Sequence, residues 1–213
     1  YAVHVSQSKM ISSQINEFYR NDKIPIDSLI LSGANIKYWP GLKLIKYSTE
    51  PKDEFNLYEL IQKEFAGVSI QNFKLEDAQL TLFKSPADQT SQQELKNIKI
   101  NLEDFLLDSV SGRDTSRIFY AKNIDFSASE YELTLGDNIH RIRAANLDLS
   151  TRRKSVLIKN IQLYPLLSGG ALANQKNRID ANCDSVRLDL FNFKKAYHQR
   201  RFFFRRISLF NPE

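Results

Sequence analysis

The residues best suited to chemistry are few and scattered. His4, His140 and His198 lie far apart in a chain of 213 residues, and none falls in a metal-ligand spacing or beside the single cysteine, Cys183. A zinc site or a nucleophile–base pair needs such groups within reach of one another. The acidic neighbours Glu76-Asp77 and Glu103-Asp104 point to opposite faces if they are extended, so a glycosidase-type pair would have to come from distant strands. No Gly-x-Ser-x-Gly, Walker or Gly-x-Gly-x-x-Gly pattern occurs, and the seven glycines leave little material for a phosphate-cradling loop. The expectation is a non-catalytic protein with no cofactor, no metal and no catalytic residue.

The basic clusters are Arg152-Arg153-Lys154, Lys194-Lys195, and Arg200-Arg201 with Arg205-Arg206, in a chain of net charge +5. One reading is a solvated face and a hairpin tip. The sharper reading makes Arg152, Arg153, Lys154, Arg200, Arg201, Arg205 and Arg206 contacts for anionic head groups. Phe202, Phe203 and Phe204 between arginine pairs resemble the aromatic interleaving of nucleic-acid binders. Phe202 and Phe204 also occupy apolar positions of a strand pattern, so core packing accounts for two of the three and no nucleic-acid partner is expected. Tyr38 and Trp39 beside Pro40 suit either a partner or membrane interface or, more commonly, the cap of a sheet end.

That strand pattern must position everything else. Eight segments read apolar, any, apolar, any, small polar, apolar, any, apolar, beginning at Ile24, Val68, Gln93, Phe119, Ile142, Val156, Ala181 and Phe202. Asn or Ser precedes the third apolar position in seven of them, at Ser28, Asn72, Asn97, Asn123, Asn146, Asn160 and Ser185; the eighth has Arg206. In Val156–Leu163 the apolar residues fall at 156, 158, 161 and 163. A flat strand keeps one phase, and a helix prefers spacings of three and four. A strand with a β-bulge at the small polar residue returns both apolar pairs to one face, and Asn tolerates the left-handed backbone that a bulge uses. The predicted apolar face comprises Ile24, Ile26, Leu29, Leu31, Val68, Ile70, Phe73, Leu75, Val156, Ile158, Ile161, Leu163, Phe202, Phe204, Ile207 and Leu209. Cys183 also holds an apolar position and is expected to be a small core residue.

Between the repeats, Ser8–Arg20 has an apolar helical face, Asn56–Phe65 has a cap, a capping box through Glu59 and a following Gly67, and Asn192–Arg200 reads as a third short helix. Asn56 onward and Asn192 onward share one plan of cap, helix and repeat strand, as a duplication would leave. Ala78–Phe83 is predicted to partner the strand at Val68, Leu42–Tyr47 to alternate as a strand, and 117–127, 130–136, 139–150 and 154–164 to run as successive strands. Loops are expected near 48–54, 84–93, 110–116 and 166–177. The fold class expected is mostly β (α+β): one elongated domain over 1–213, a curved antiparallel sheet of repeated bulged strands with two or three short helices packed on it or at its ends. Hydrophobic content of 42% fits a folded chain, and no run of 18 apolar residues occurs. The opening Tyr-Ala-Val-His, without Met, is expected of a fragment of a larger protein.

The segments FNLYELIQKEFAGVSIQNFKLEDAQLTLF at 55–83 and YAKNIDFSASEYELTLGDNIHRIRAANLDLSTRRKSVLIKNIQLYP at 120–165 resemble the AsmA-like proteins of the Gram-negative envelope. The version they resemble most is that of large Bacteroidetes envelope proteins. The resemblance implies a periplasmic β-rich body whose strands curl into an apolar groove, attached to the inner membrane by an anchor helix of the parent protein. It implies a role in phospholipid transport or outer-membrane biogenesis, with phospholipid acyl chains or envelope proteins as partners. No anchor helix is present in this sequence, and the family offers no catalytic residues to carry over. The alternative is an envelope scaffold or interaction module whose apolar face is filled by its own helices.

Overall fold

The computed structural model describes residues 2–14, 16, 22–39, 57–83, 91–135, 139–165, 179–199 and 201–213. Its strands are β1 (Ala2–His4), β2 (Gln7–Ile11), β3 (Lys23–Ser32), β4 (Asn35–Tyr38), β5 (Gly67–Phe83), β6 (Ser91–Asp108), β7 (Asn123–Thr134), β8 (His140–Ser150), β9 (Ser155–Pro165), β10 (Ala181–Asp189) and β11 (Arg206–Pro212). One α-helix, α1 (Phe193–Gln199), and two 3-10 turns, Leu57–Leu60 and Ser111–Arg113, complete the described elements. All the strands join one open, curved sheet. From β5 to β11 it is an antiparallel meander. The expected antiparallel order gives way at one place: β3 and β4 lie parallel to successive halves of β5. Strands β2 and β1 then pair antiparallel with β3 and β4.

The repeat strands are bent along a common line. Left-handed backbone occurs at Gly33 (φ 65), Asp77 (φ 53), Asn97 (φ 49), Glu130 (φ 54), Asn160 (φ 51) and Asn211 (φ 47). Register shifts flank Asp77 and Asn97. Farther along, pairing skips Glu130 with Ala145, Ala145 with Asn160, Asn160 with Asp184, and Asp184 with Asn211. Neighbouring strands therefore kink together, and the sheet folds along a crease, as aligned bulges require. At Gly33 a side chain is excluded twice over, by its φ and by Ser6, whose Oγ would lie 2.8 Å from an added Cβ. A second, shorter line skips Asp27, Gln71 and Asp104 (φ 52). The bulge expectation thus holds with a correction of position. Of the seven small polar residues only Asn97 and Asn160 are left-handed. Ser28, Asn72, Asn146 and Ser185 stand one residue past the skipped position instead.

Alanines pack close to the crease: Ala34, Ala78, Ala128 and Ala144 are 0–3% exposed. The first three share a cluster with Leu75 and Ile98, against which Leu31, Phe73, Leu80, Leu95, Ile100 and Phe126 pack. Phe73 and Leu75 precede the kink in β5 and Leu80 follows it, yet all meet in one cluster. Leu95, Ile98 and Ile100 do the same in β6. Bending brings the two apolar flanks toward each other, and the small alanine side chains leave room for that approach.

Several sequence expectations are overturned. Gln7–Ile11 is a strand, not the start of a helix; Ile15, Phe18 and Tyr19 lie outside the described residues. The predicted helix after Asn56 becomes a 3-10 turn, in which the Tyr58 carbonyl accepts from both Ile61 and Gln62, followed by a second turn in which the Ile61 carbonyl accepts from Glu64 and Phe65. Only α1 is an α-helix among the described elements, so the two units expected to share one plan differ in their helical part. Ala78–Phe83 is no partner of the Val68 segment but the continuation of the same 17-residue strand through Asp77. Likewise 123–134 is one strand, and 117–122 is a turn closed by an Ile118–Ala121 bridge. The repeats beginning at Phe119 and Phe202 supply strand only in their second halves, because Phe119 (φ 46) and Tyr120 (φ 64) turn and 201–205 is not paired. The expected strand 42–47 and the loops 48–54 and 166–177 lie outside the described residues, while β6 begins at Ser91, inside the expected loop 84–93.

Candidate functional site: an apolar sheet face and a basic corner

Strand register converts the repeat into a continuous surface. Leu31 pairs with Leu75, Leu75 with Ile100, Ile100 with Phe126, Phe126 with Leu149, Leu149 with Val156, Val156 with Leu188, and Leu188 with Ile207. A parallel row runs Ala128, Leu147, Ile158, Val186, Leu209. Alternation puts a polar row on the reverse: Lys74, Asn101, Asp125, Ser150, Ser155, Asp189, Arg206. A sheet with one apolar face normally buries it against a second layer. Here every described strand belongs to the one sheet, and the one described helix sits at an end. Leu31, Ile100, Phe126, Leu149, Val156 and Leu188 are accordingly only half-buried.

The predicted face residues follow this surface except at Phe202 and Phe204. Ile26, Ile70 and Leu75 are buried, and Ile24, Leu29, Val68, Phe73, Ile158, Ile161 and Leu163 are half-buried. Ile207 and Leu209 lie in register but are 54% and 56% exposed on the last strand. Phe202 and Phe204 are not strand residues and do not line the face, because pairing starts only at Arg206. Cys183 is half-buried rather than core, since its outer neighbour is the exposed β11. Trp39 stacks on Phe83, with centroids 5.0 Å apart and planes at 8°, and so caps the end of β4 and β5.

The basic residues converge at one end. A cleft of about 710 Å³ lies between the β8–β9 turn, the approach to α1 and the start of β7. Lys122, Arg152, Lys154, Lys194 and Arg205 line it, with Ile118, Phe191 and Phe193 among its apolar walls. The Asn192 side chain caps α1 through the Lys195 N–H at 3.0 Å, as its sequence suggested. Two of the cations are engaged: Arg152 pairs with Glu103 and Lys122 with Asp104. Arg153 lines a different depression, of about 380 Å³, with Lys74, Glu76, Lys99, Asp125 and Asp148 of the polar face. Arg201 and Arg206 are exposed at this end without lining the cleft, and Arg200 lies outside the described residues.

The organiser of the corner is Arg117, a buried cation that no spacing in the sequence singles out. Its guanidinium is 3.2 Å from Asp114 and 3.4 Å from Asp104, and it donates to the carbonyls of Asp104 and Tyr120. The Lys122 hydrogen bond, with help from Arg117, holds the Asp104 carboxyl below its usual range despite partial burial. At the other end of the sheet, burial pushes Glu132 up, but hydrogen bonds from Tyr164 at 2.9 Å and Arg141 at 2.5 Å outweigh it and leave the carboxyl lowered. Burial raises the Tyr131 hydroxyl. His140 is buried and accepts from the Ile179 N–H at 3.1 Å, while His198 donates to the Arg117 carbonyl at 3.1 Å. Among the described residues no group of His, Cys, Asp and Glu is placed to hold a metal ion, and no helix is long and apolar enough to cross a membrane. Comparison with protein-family models, with curated proteins and with solved structures gives no match.

Proposed function

We propose that this chain is a non-catalytic lipid-handling module of the AsmA-like kind, working in the periplasm of a Gram-negative envelope as part of an inner-membrane-anchored parent protein. The observation that carries the reading is the apolar row from Leu31 to Ile207 along a creased sheet, in which Leu31, Ile100, Phe126, Leu149, Val156 and Leu188 are only half-buried and no second layer covers them among the described residues. An acyl chain laid along such a row is held by non-directional burial, at roughly 0.8 kcal/mol per methylene, and needs no polar triad. A row that crosses strands suits an extended chain, because neighbouring strands are spaced by only about 4.8 Å. The phospholipid's acyl chains are the cargo, and the row is the track.

Titration with a fluorescent fatty-acyl probe tests this. Saturable binding is expected, lost in Leu149→Arg, whose guanidinium would enter the half-buried row, and retained in Asp148→Arg, the neighbour on the polar face. Equal binding by both variants would contradict it. A scaffold role is favoured by a different observation. The outer edge of β11 carries exposed Ile207, Leu209 and Phe210, an edge suited to pairing with another strand. No probe binding, with a protein captured through β11, would support that reading instead.

A further inference from the structure

The end of the sheet formed by 110–122, the β8–β9 turn, 190–199 and 201–206 collects exposed apolar side chains beside cations without a carboxylate partner among the described residues. Phe202 is 74% exposed, and Phe203, Phe204, Phe119, Leu190 and Val110 are 45–66% exposed. The phenylalanine segment is nevertheless held in place. The Asn192 N–H donates to the Phe203 carbonyl at 2.8 Å, and the Arg205 N–H to the Asp189 carbonyl at 3.2 Å. Lys154, Lys194 and Arg205 line the adjacent cleft, and among the described residues no carboxylate pairs with any of them. Large exposed apolar groups mark an interaction surface. Interleaved with free cations they match the boundary of an anionic bilayer, where rings enter the acyl border and ammonium groups meet phosphates. A single-stranded nucleic acid needs open ring faces for stacking. Here Lys195 Nζ already stands 4.8 Å over the Phe203 ring.

We propose that this end docks on an anionic lipid bilayer, with Phe202, Phe203 and Phe204 entering the interface and Lys154, Lys194 and Arg205 taking head-group phosphates. The docking does not depend on the acyl track. Vesicles can pellet a chain whose sheet face binds nothing, and the probe can bind a chain that never pellets.

The test is co-sedimentation with vesicles of phosphatidylcholine alone and of phosphatidylcholine and phosphatidylglycerol in equal parts. Binding is expected only to the mixed vesicles, and it should fall as salt rises. Phe202→Ser, at the most exposed ring, should weaken it about tenfold. Lys154→Gln, Lys194→Gln and Arg205→Gln together should weaken it about a hundredfold, with circular dichroism unchanged in both variants. A Lys9→Gln control, on strand β2, should bind as wild type. Equal binding to the two vesicle types, mixed-vesicle binding indifferent to both variants, or capture of single-stranded DNA without vesicle binding would each overturn the proposal.

Discussion

Strands β5 and β11 carry the same repeat and meet different fates. Leu75 and Leu209 are both its fourth apolar residue, yet Leu75 is 8% exposed and Leu209 is 56% exposed. Leu75 lies between Leu31 and Ile100, with Ala78 folded in from beyond the crease. Leu209 has Val186 on one side and no described strand on the other. The repeat therefore decides which face a side chain takes, and its neighbours decide how deeply it is buried.

The sharpest way to break this comparison is the matched pair of truncations. Leu75→Ala should cost about 3 kcal/mol in urea unfolding, and Leu209→Ala less than about 1 kcal/mol. Similar costs would mean that β11 is covered in solution. Arg117→Met comes next. It strips the hydrogen bonds that hold the basic corner, so a loss of about 2 kcal/mol is expected, with the thermal midpoint as the readout. Asn97→Ala examines the crease itself: it forces a Cβ-bearing residue without a side-chain partner into φ 49 and removes the 2.7 Å bond to Ser129. It should cost about 1 kcal/mol, whereas Asn97→Gly should recover much of that because glycine accepts the left-handed backbone.

The smallest effect is electrostatic. Asp104 titrates lower in the folded chain than in the unfolded one. Its contribution is thus fully present above the ordinary aspartate range and is lost as pH falls through the lowered value. The stability gap between wild type and Asp104→Asn should shrink on acidification toward that range. A gap that stays constant would show that the Lys122 and Arg117 contacts do not act through charge.

Much of the sheet was legible because its signal is local. The spacing of three and then two residues through Leu95, Ile98 and Ile100, around Asn97, identifies a kinked strand before any partner is known, and the structure places all three in one cluster. The helix after Asn56 was misread because four apolar residues over nine positions cannot distinguish a regular helix from two successive turns. What stops it is tertiary: the Ala66 N–H donates to the Asp22 carbonyl, and Gly67 already pairs with both Lys23 and Asp108. The close approach of β6 to Gly67, where the Leu107 carbonyl would lie 3.0 Å from an added Cβ, explains glycine there better than a helix cap does. Parallel pairing of β3 with β5 left no local trace either. The basic corner was half visible. Arg152, Lys154 and Arg205 were singled out by their neighbours in sequence, but Lys122 joins them only in three dimensions, as does the buried Arg117 that shapes the corner.

The most direct measurement is native mass spectrometry of the purified chain with organic extraction of the same sample. A phospholipid-sized adduct, abolished by Leu149→Arg, is the expected result. A bare chain that also yields no extractable lipid would contradict the claim that the long greasy row is a bed for acyl chains.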